Sequence, residues 1–239
     1  TTVAALSRIL HEARALCHVE HPNVVRFLQI VDDDASGLIG LAMEHVRGRS
    51  LAAAIDERQK LSVDETIAVG IAVASALAAV HQAGLVHRDV KPDNIVHDGS
   101  VYKLIDFGIV TKRALDDAAP KSRSSWSIGA VQAAAEALGD TLVASAGSAG
   151  GQTTEAPSGS DTFQVAGTMG YIDPVCLTGE AAADASSDLY SLGAVLYECL
   201  VGRPPFEADS DIGLIKRVLT EEAESPRALR PEVSAELDL

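Results

Sequence analysis

The stretch His87-Arg88-Asp89-Val90-Lys91-Pro92-Asp93-Asn94 decides how this chain is read. Twelve residues after Asn94 comes Asp106-Phe107-Gly108, and further on Gly167-Thr168-Met169-Gly170-Tyr171 leads to Pro174. Residues 85–108 alternate short β-type runs with turns. An isolated turn aspartate bonds its own backbone, and an isolated Asp-Phe-Gly triplet arises often by chance. The joint spacing of Asp89, Asn94 and Asp106 argues against both readings.

Working outward, apolar Leu6, Ile9, Leu10, Ala13 and Leu16 recur at helical spacing near the start. HPNVVRFLQIV, from His21, reads as a turn and a strand. Gly37 breaks it, and LIGLAMEHV, from Leu38, reads as a second strand able to pair as a hairpin. Ser62 and Glu65 form a capping-box pattern ahead of a long helix reaching His81, with Gly84 as its stop. On the other side, residues 114–160 are rich in Ala, Ser and Gly and read as a flexible insertion. Within it Ile128, Val131, Leu138 and Leu142 leave room for one short amphipathic helix. Ser186 and Ser187 are read as caps of the next helix, DLYSLGAVLYECLV from Asp188, whose apolar faces predict burial. Gly202 and Pro204-Pro205 end it. SDIGLIKRVLTEE, from Ser210, predicts one more amphipathic helix, and no internal repeat is visible.

The 239 residues suffice for one large domain or two small lobes around a cleft. Hydrophobic residues make up 47% and aromatics 4%, so the apolar content is mainly aliphatic and favours helices. A formal net charge of −15 argues against a nucleic-acid-binding surface. Cys17, Cys176 and Cys199 are too few and too scattered for a disulfide framework or a zinc site, which suits a reducing, cytoplasmic setting. The sequence shows no signal peptide, and no apolar run is read as a membrane span.

These motifs together resemble bacterial serine/threonine protein kinases of the eukaryotic-like type, and the resemblance covers nearly all of the chain outside the insertion. It implies an α+β, protein-kinase-like bilobal fold: residues 1–43 as the remnant of an N-lobe, with one helix and about two strands, and 44–239 as a mainly helical, incomplete C-lobe. It implies ATP and Mg2+ (or Mn2+) as cofactors and proteins with Ser or Thr acceptors as substrates. Asp89 is implied as the acceptor of the attacking hydroxyl's proton, with Asn94 and Asp106 as metal ligands. Lys91 would neutralise charge on the transferred group. Thr168 would bond the catalytic aspartate and lysine. Glu12 matches the helix glutamate that pairs with the ATP-binding lysine. Met43, Glu44 and Val46 match gatekeeper and hinge, and Val96 would lie under the adenine. Leu16, Phe27, His87 and Phe107 match four stacked side chains joining the lobes. Asp188 matches the aspartate that pins the backbone around His87. Arg88 implies switching by a phosphate on the activation segment, with Thr162 and Ser160 as candidate acceptors and homodimerisation as a route to autophosphorylation.

The chain departs from the family in three places. It begins inside the helix of Glu12, so it reads as a fragment, with a Gly-rich loop and the lysine expected upstream. Alone it is expected to be inactive, lacking groups that position the phosphates. Asp173-Pro174-Val175 stands where the family has Ala-Pro-Glu. The insertion lengthens the segment before Pro174, at little cost in loop closure. A pseudokinase scaffold is the alternative reading, and a small-molecule phosphotransferase a third.

Overall fold

Short β segments and amphipathic helices alternate through the computed structural model, which describes residues 11–33, 38–107, 169–178 and 180–237. Leu6, Ile9, Leu10, Gly37, the insertion at 114–160, Ser160, Thr162 and Thr168 lie outside the described residues.

Helix α1 covers residues 11–16 and buries Ala13 and Leu16. It leads through the His21-Pro22-Asn23 turn into β1 (Phe27–Asp33), which pairs antiparallel with β2 (Leu38–Met43), the predicted hairpin. A short strand, β3 (Arg49–Ser50), then runs into α2 (Leu51–Arg58). This helix was not foreseen, although Ser50 caps it by accepting from the Ala53 N–H and its leucine and alanines are good helix formers.

Helix α3 (Val63–Gln82) opens with the expected capping box and ends at Gly84, which takes φ +74°. At 20 residues it is long and apolar enough to cross a membrane, contrary to the reading that no run reaches that length. Its Val69, Val73, Ala76, Leu77 and Val80 sit in the core shared with α5 (Ala185–Val201), and soluble core helices meet the same criterion. A single 3-10 turn at Pro92–Asn94 precedes β4 (Ile95–His97) and β5 (Tyr102–Leu104), which join β3 in a three-stranded antiparallel sheet.

After the insertion come α4 (Pro174–Leu177), then α5, α6 (Asp211–Thr220) and α7 (Pro226–Leu229). Helix α5 starts earlier than predicted. Asp184, not Ser186 or Ser187, is its cap and accepts from both of their N–H groups. A carboxylate reaches two orphan amides of the first turn at once and complements the positive end of the helix. Gly202 closes α5 at φ +90°, with Gln59 packed so close that a Cβ would lie 2.0 Å from its carbonyl oxygen. One core gathers α1, α3, α5 and the strands, and a smaller one holds Met169, Leu177, Phe206, Leu214, Ile215 and Val218.

Candidate catalytic site

The segment from His87 to Phe107 is held from below and from the side and is tied within itself, and that is what gathers its polar groups. From below, the carboxylate of Asp188, 1% exposed on α5, accepts from the His87 N–H at 2.9 Å and the Arg88 N–H at 2.8 Å. Arg88 lies at φ +69°, a region that costs a non-glycine residue about 1–2 kcal/mol. The two amide bonds are the evident compensation. His81, at the end of α3, lies 2.7 Å from the same carboxylate through Nε2, a partner that sequence reading missed.

From the side, His87 is fully buried and its ring packs 4.4 Å from that of Phe107, which in turn meets Phe27 edge-on at 5.2 Å. Leu16 belongs to the same core, so the four residues expected to stack are all buried together. The His87 Nε2–H donates to the Ile105 carbonyl at 3.1 Å, and Nδ1 accepts from the Asp89 N–H at 3.3 Å. Both bonds suit a neutral ring, and burial pushes its pKa down.

Within the loop, Asp89 Oδ2 meets Lys91 Nζ at 2.9 Å and Asn94 Nδ2 at 2.8 Å. Asn94 Nδ2 also donates to the Asp89 carbonyl, so the 3-10 turn is stitched to the residue that needs positioning. Both bonds use the amide nitrogen, which leaves the Asn94 side-chain oxygen for another partner. The Ile105 N–H donates to the Asn94 carbonyl at 2.8 Å, which ties the residue before Asp106 to Asn94. Asp106 is exposed at φ +53° while Phe107 beside it is buried. Asp89 also borders a cavity lined by Tyr171, Ile172, Asp173 and Cys176.

Toward the hairpin, Met43 and Val46 pack partly buried against the core, and Val96, 8% exposed, pairs with Lys103 across the sheet. Glu12, expected to face a lysine, has Arg88 Nη1 at 3.4 Å. Val175, standing where a glutamate was expected, is exposed at the start of α4.

The model of the protein kinase domain matches residues 2–129. The chain belongs to the protein kinase family. A probable serine/threonine-protein kinase of Streptomyces coelicolor is 32% identical over 236 residues, covering 97% of this chain and 29% of that protein. PrkC of Bacillus subtilis, a serine/threonine-protein kinase, is 29% identical over 95% of this chain and 28% of its own length. This kinase-family chain therefore spans less than a third of the length of either of these two relatives. The crystal structure of the PknI kinase domain of Mycobacterium tuberculosis shares the fold, with a TM-score of 0.61 over 99% of this chain and 68% of that one, at 23% identity. The α+β, kinase-like fold read from the sequence is the fold observed.

Residues for a metal ion fit the family's chemistry. Asn94 and Asp106 offer oxygen donors, which suit a hard cation such as Mg2+. Among the described residues no cluster of three or more His, Cys, Asp or Glu forms a complete cage. Mg2+ in phosphoryl-transfer sites takes its remaining ligands from phosphates and water.

Proposed function

We propose that the protein carrying this chain is a serine/threonine protein kinase that moves the γ-phosphoryl group of ATP to Ser or Thr hydroxyls of other proteins. The observation that carries this reading is the Asp89–Lys91–Asn94 constellation, closed at 2.8–2.9 Å on one carboxylate oxygen. With Oδ2 engaged twice, Oδ1 is left to accept the hydrogen of an acceptor hydroxyl and orient its oxygen for attack. Lys91, already at that carboxylate, stands ready to balance charge building on the transferred group. When bound, the metal ion neutralises phosphate oxygens, and Asn94 and Asp106 are the residues that would hold it. Met43, Glu44, Val46 and Val96 would receive the nucleotide base, with the lobes meeting near residues 43 and 44. Arg88 would receive an activating phosphate on Thr162 or Ser160, in a cytoplasmic kinase domain.

The test is transfer of radiolabel from γ-labelled ATP to a generic Ser/Thr substrate such as casein, with Mg2+. Transfer that vanishes in Asp89→Asn is expected. Absence of transfer by the natural protein, or equal transfer by the variant, sinks the reading.

A further inference from the structure

Glu44 lies between two elements distant in sequence. Its own N–H donates to the Arg26 carbonyl at 2.9 Å, and its Oε1 accepts from the Arg26 N–H at 3.0 Å. The same oxygen meets Lys103 Nζ on β5 at 2.6 Å. Both side chains are partly shielded from water, at 27% exposed for Glu44 and 17% for Lys103, so the pair is less screened than a fully exposed one. The Lys103 hydrogen bond, followed by the Arg26 amide, holds the Glu44 carboxyl below its usual range.

A second tie runs beside the first. Asn23 Nδ2 donates to the Tyr102 carbonyl at 2.8 Å. The Leu104 N–H donates to the Asn23 carbonyl at 2.8 Å, and the Val25 N–H to the Leu104 carbonyl at 2.9 Å. Residues 23–26, the hinge at Glu44 and strand β5 are thus joined into one unit. Strand β5 ends two residues before Asp106. The Glu44–Lys103 pair therefore links the segment expected to meet the adenine with the strand that delivers the aspartate expected at the phosphates.

We infer that Lys103 is a positioning residue for the nucleotide: through Glu44 it fixes the hinge relative to the strand that carries Asp106. This rests on the kinase reading above. A group that holds both ends of a bound nucleotide in register serves ground-state and transition-state binding alike. Its loss raises KM for ATP and leaves kcat in place.

Two variants test it in the protein that carries this chain: Lys103→Met, which keeps the aliphatic stem and its packing, and Lys103→Arg. Lys103→Met is expected to raise KM for ATP about tenfold, the loss of one charge-assisted hydrogen bond, with kcat little changed. Lys103→Arg should recover most of that loss. Backbone hydrogen exchange over residues 43–46, followed without nucleotide, should quicken in Lys103→Met and not in Lys103→Arg. An unchanged KM, a fall in kcat alone, or unchanged exchange overturns the inference. If the natural protein binds no ATP, the kinase reading fails, and the exchange measurement still decides whether Lys103 fixes the hinge.

Discussion

Asp188 holds Arg88 in a left-handed backbone conformation. The carboxylate, buried at the start of α5, accepts the Arg88 N–H at 2.8 Å while Arg88 sits at φ +69°. The neighbouring His87 N–H and the His81 ring share the same carboxylate. A strained residue persists only where its surroundings over-determine it, and here one carboxylate supplies the determination. The strain turns the chain so that His87 points into the core and Asp89 does not.

Asp188→Asn should therefore damage both stability and turnover. An amide offers one acceptor oxygen where three donors now converge, and its NH2 must face one of them. The expected cost is about 2–3 kcal/mol in unfolding free energy, measured by urea titration. A fall in kcat should persist at temperatures where the variant is fully folded. A variant with natural stability and kcat would show that Arg88 is held by something else.

Asp89→Asn should behave oppositely. Asp89 is partly exposed, so the loss of its charge leaves the core untouched and relieves no burial. Turnover should fall by about two to four orders of magnitude, the usual worth of a positioned general base, while the melting temperature stays nearly constant. Asn94→Ala removes the amide that bridges Asp89 by two bonds. It should cut kcat and also raise the Mg2+ concentration needed for half-maximal turnover. Retained turnover in Asp89→Asn would remove this residue from the mechanism.

The contrast between those two residues explains what the sequence could reveal. Asp89, Lys91 and Asn94 fall within six consecutive residues, and a 3-10 turn started by Pro92 folds them onto one another, so local spacing carries the geometry. The capping box of Ser62 and Glu65 and the glycine stops at Gly84 and Gly202 are local in the same way. Asp188 is 100 residues from Arg88, and only the family resemblance pointed to their meeting. His81 with Asp188 and Glu44 with Lys103 are pairs of the same distant kind and passed unread, because tertiary packing alone sets them. Helix α2 was missed for a different reason. Its Ser50 cap and Leu-Ala-Ala-Ala-Ile run were in view, but eight residues are too few to show a periodicity. At α5 the serines drew attention from Asp184, which sits two residues ahead of Ser186 and bonds both serine amides.

Ser62→Ala isolates one local device. The Ser62 Oγ accepts from the Glu65 N–H at 3.2 Å, and the Glu65 carboxylate returns a bond to the Ser62 N–H at 3.0 Å. Arg58 also holds that carboxylate, which first for this reason and then through Ser62 sits at about 2. Removing the hydroxyl should cost about 1 kcal/mol and leave kcat unchanged, since Ser62 lies at the opposite end of α3 from His81, which meets Asp188 beneath the loop. Denaturant midpoints indistinguishable from the natural protein would mean that the box contributes nothing to stability.

His87 gives the fold a defined response to acid. Its ordinary pKa is 6.5, and burial lowers it in the folded chain against the opposing pull of Asp188, the Ile105 carbonyl, Asp89 and Asp106. The hydrogen bonds agree, because a proton on Nδ1 would face the Asp89 N–H that now donates to it. In the unfolded chain the ring takes up a proton as pH falls through 6.5, while in the folded chain it resists. The unfolded state then binds more protons, so stability is fully present above 6.5 and declines below it. The decline from this one group can reach about 1.4 kcal/mol per pH unit until the folded ring also titrates. His87→Phe keeps a ring against Phe107 but has nothing to titrate. It should be less stable than the natural protein at pH above 6.5, having lost the bond to Ile105, and should lose less on acidification. Urea unfolding of both proteins at about pH 7.5 and about pH 5.5 measures the difference. Parallel pH dependences in the two would mean that His87 is not neutral in the folded protein.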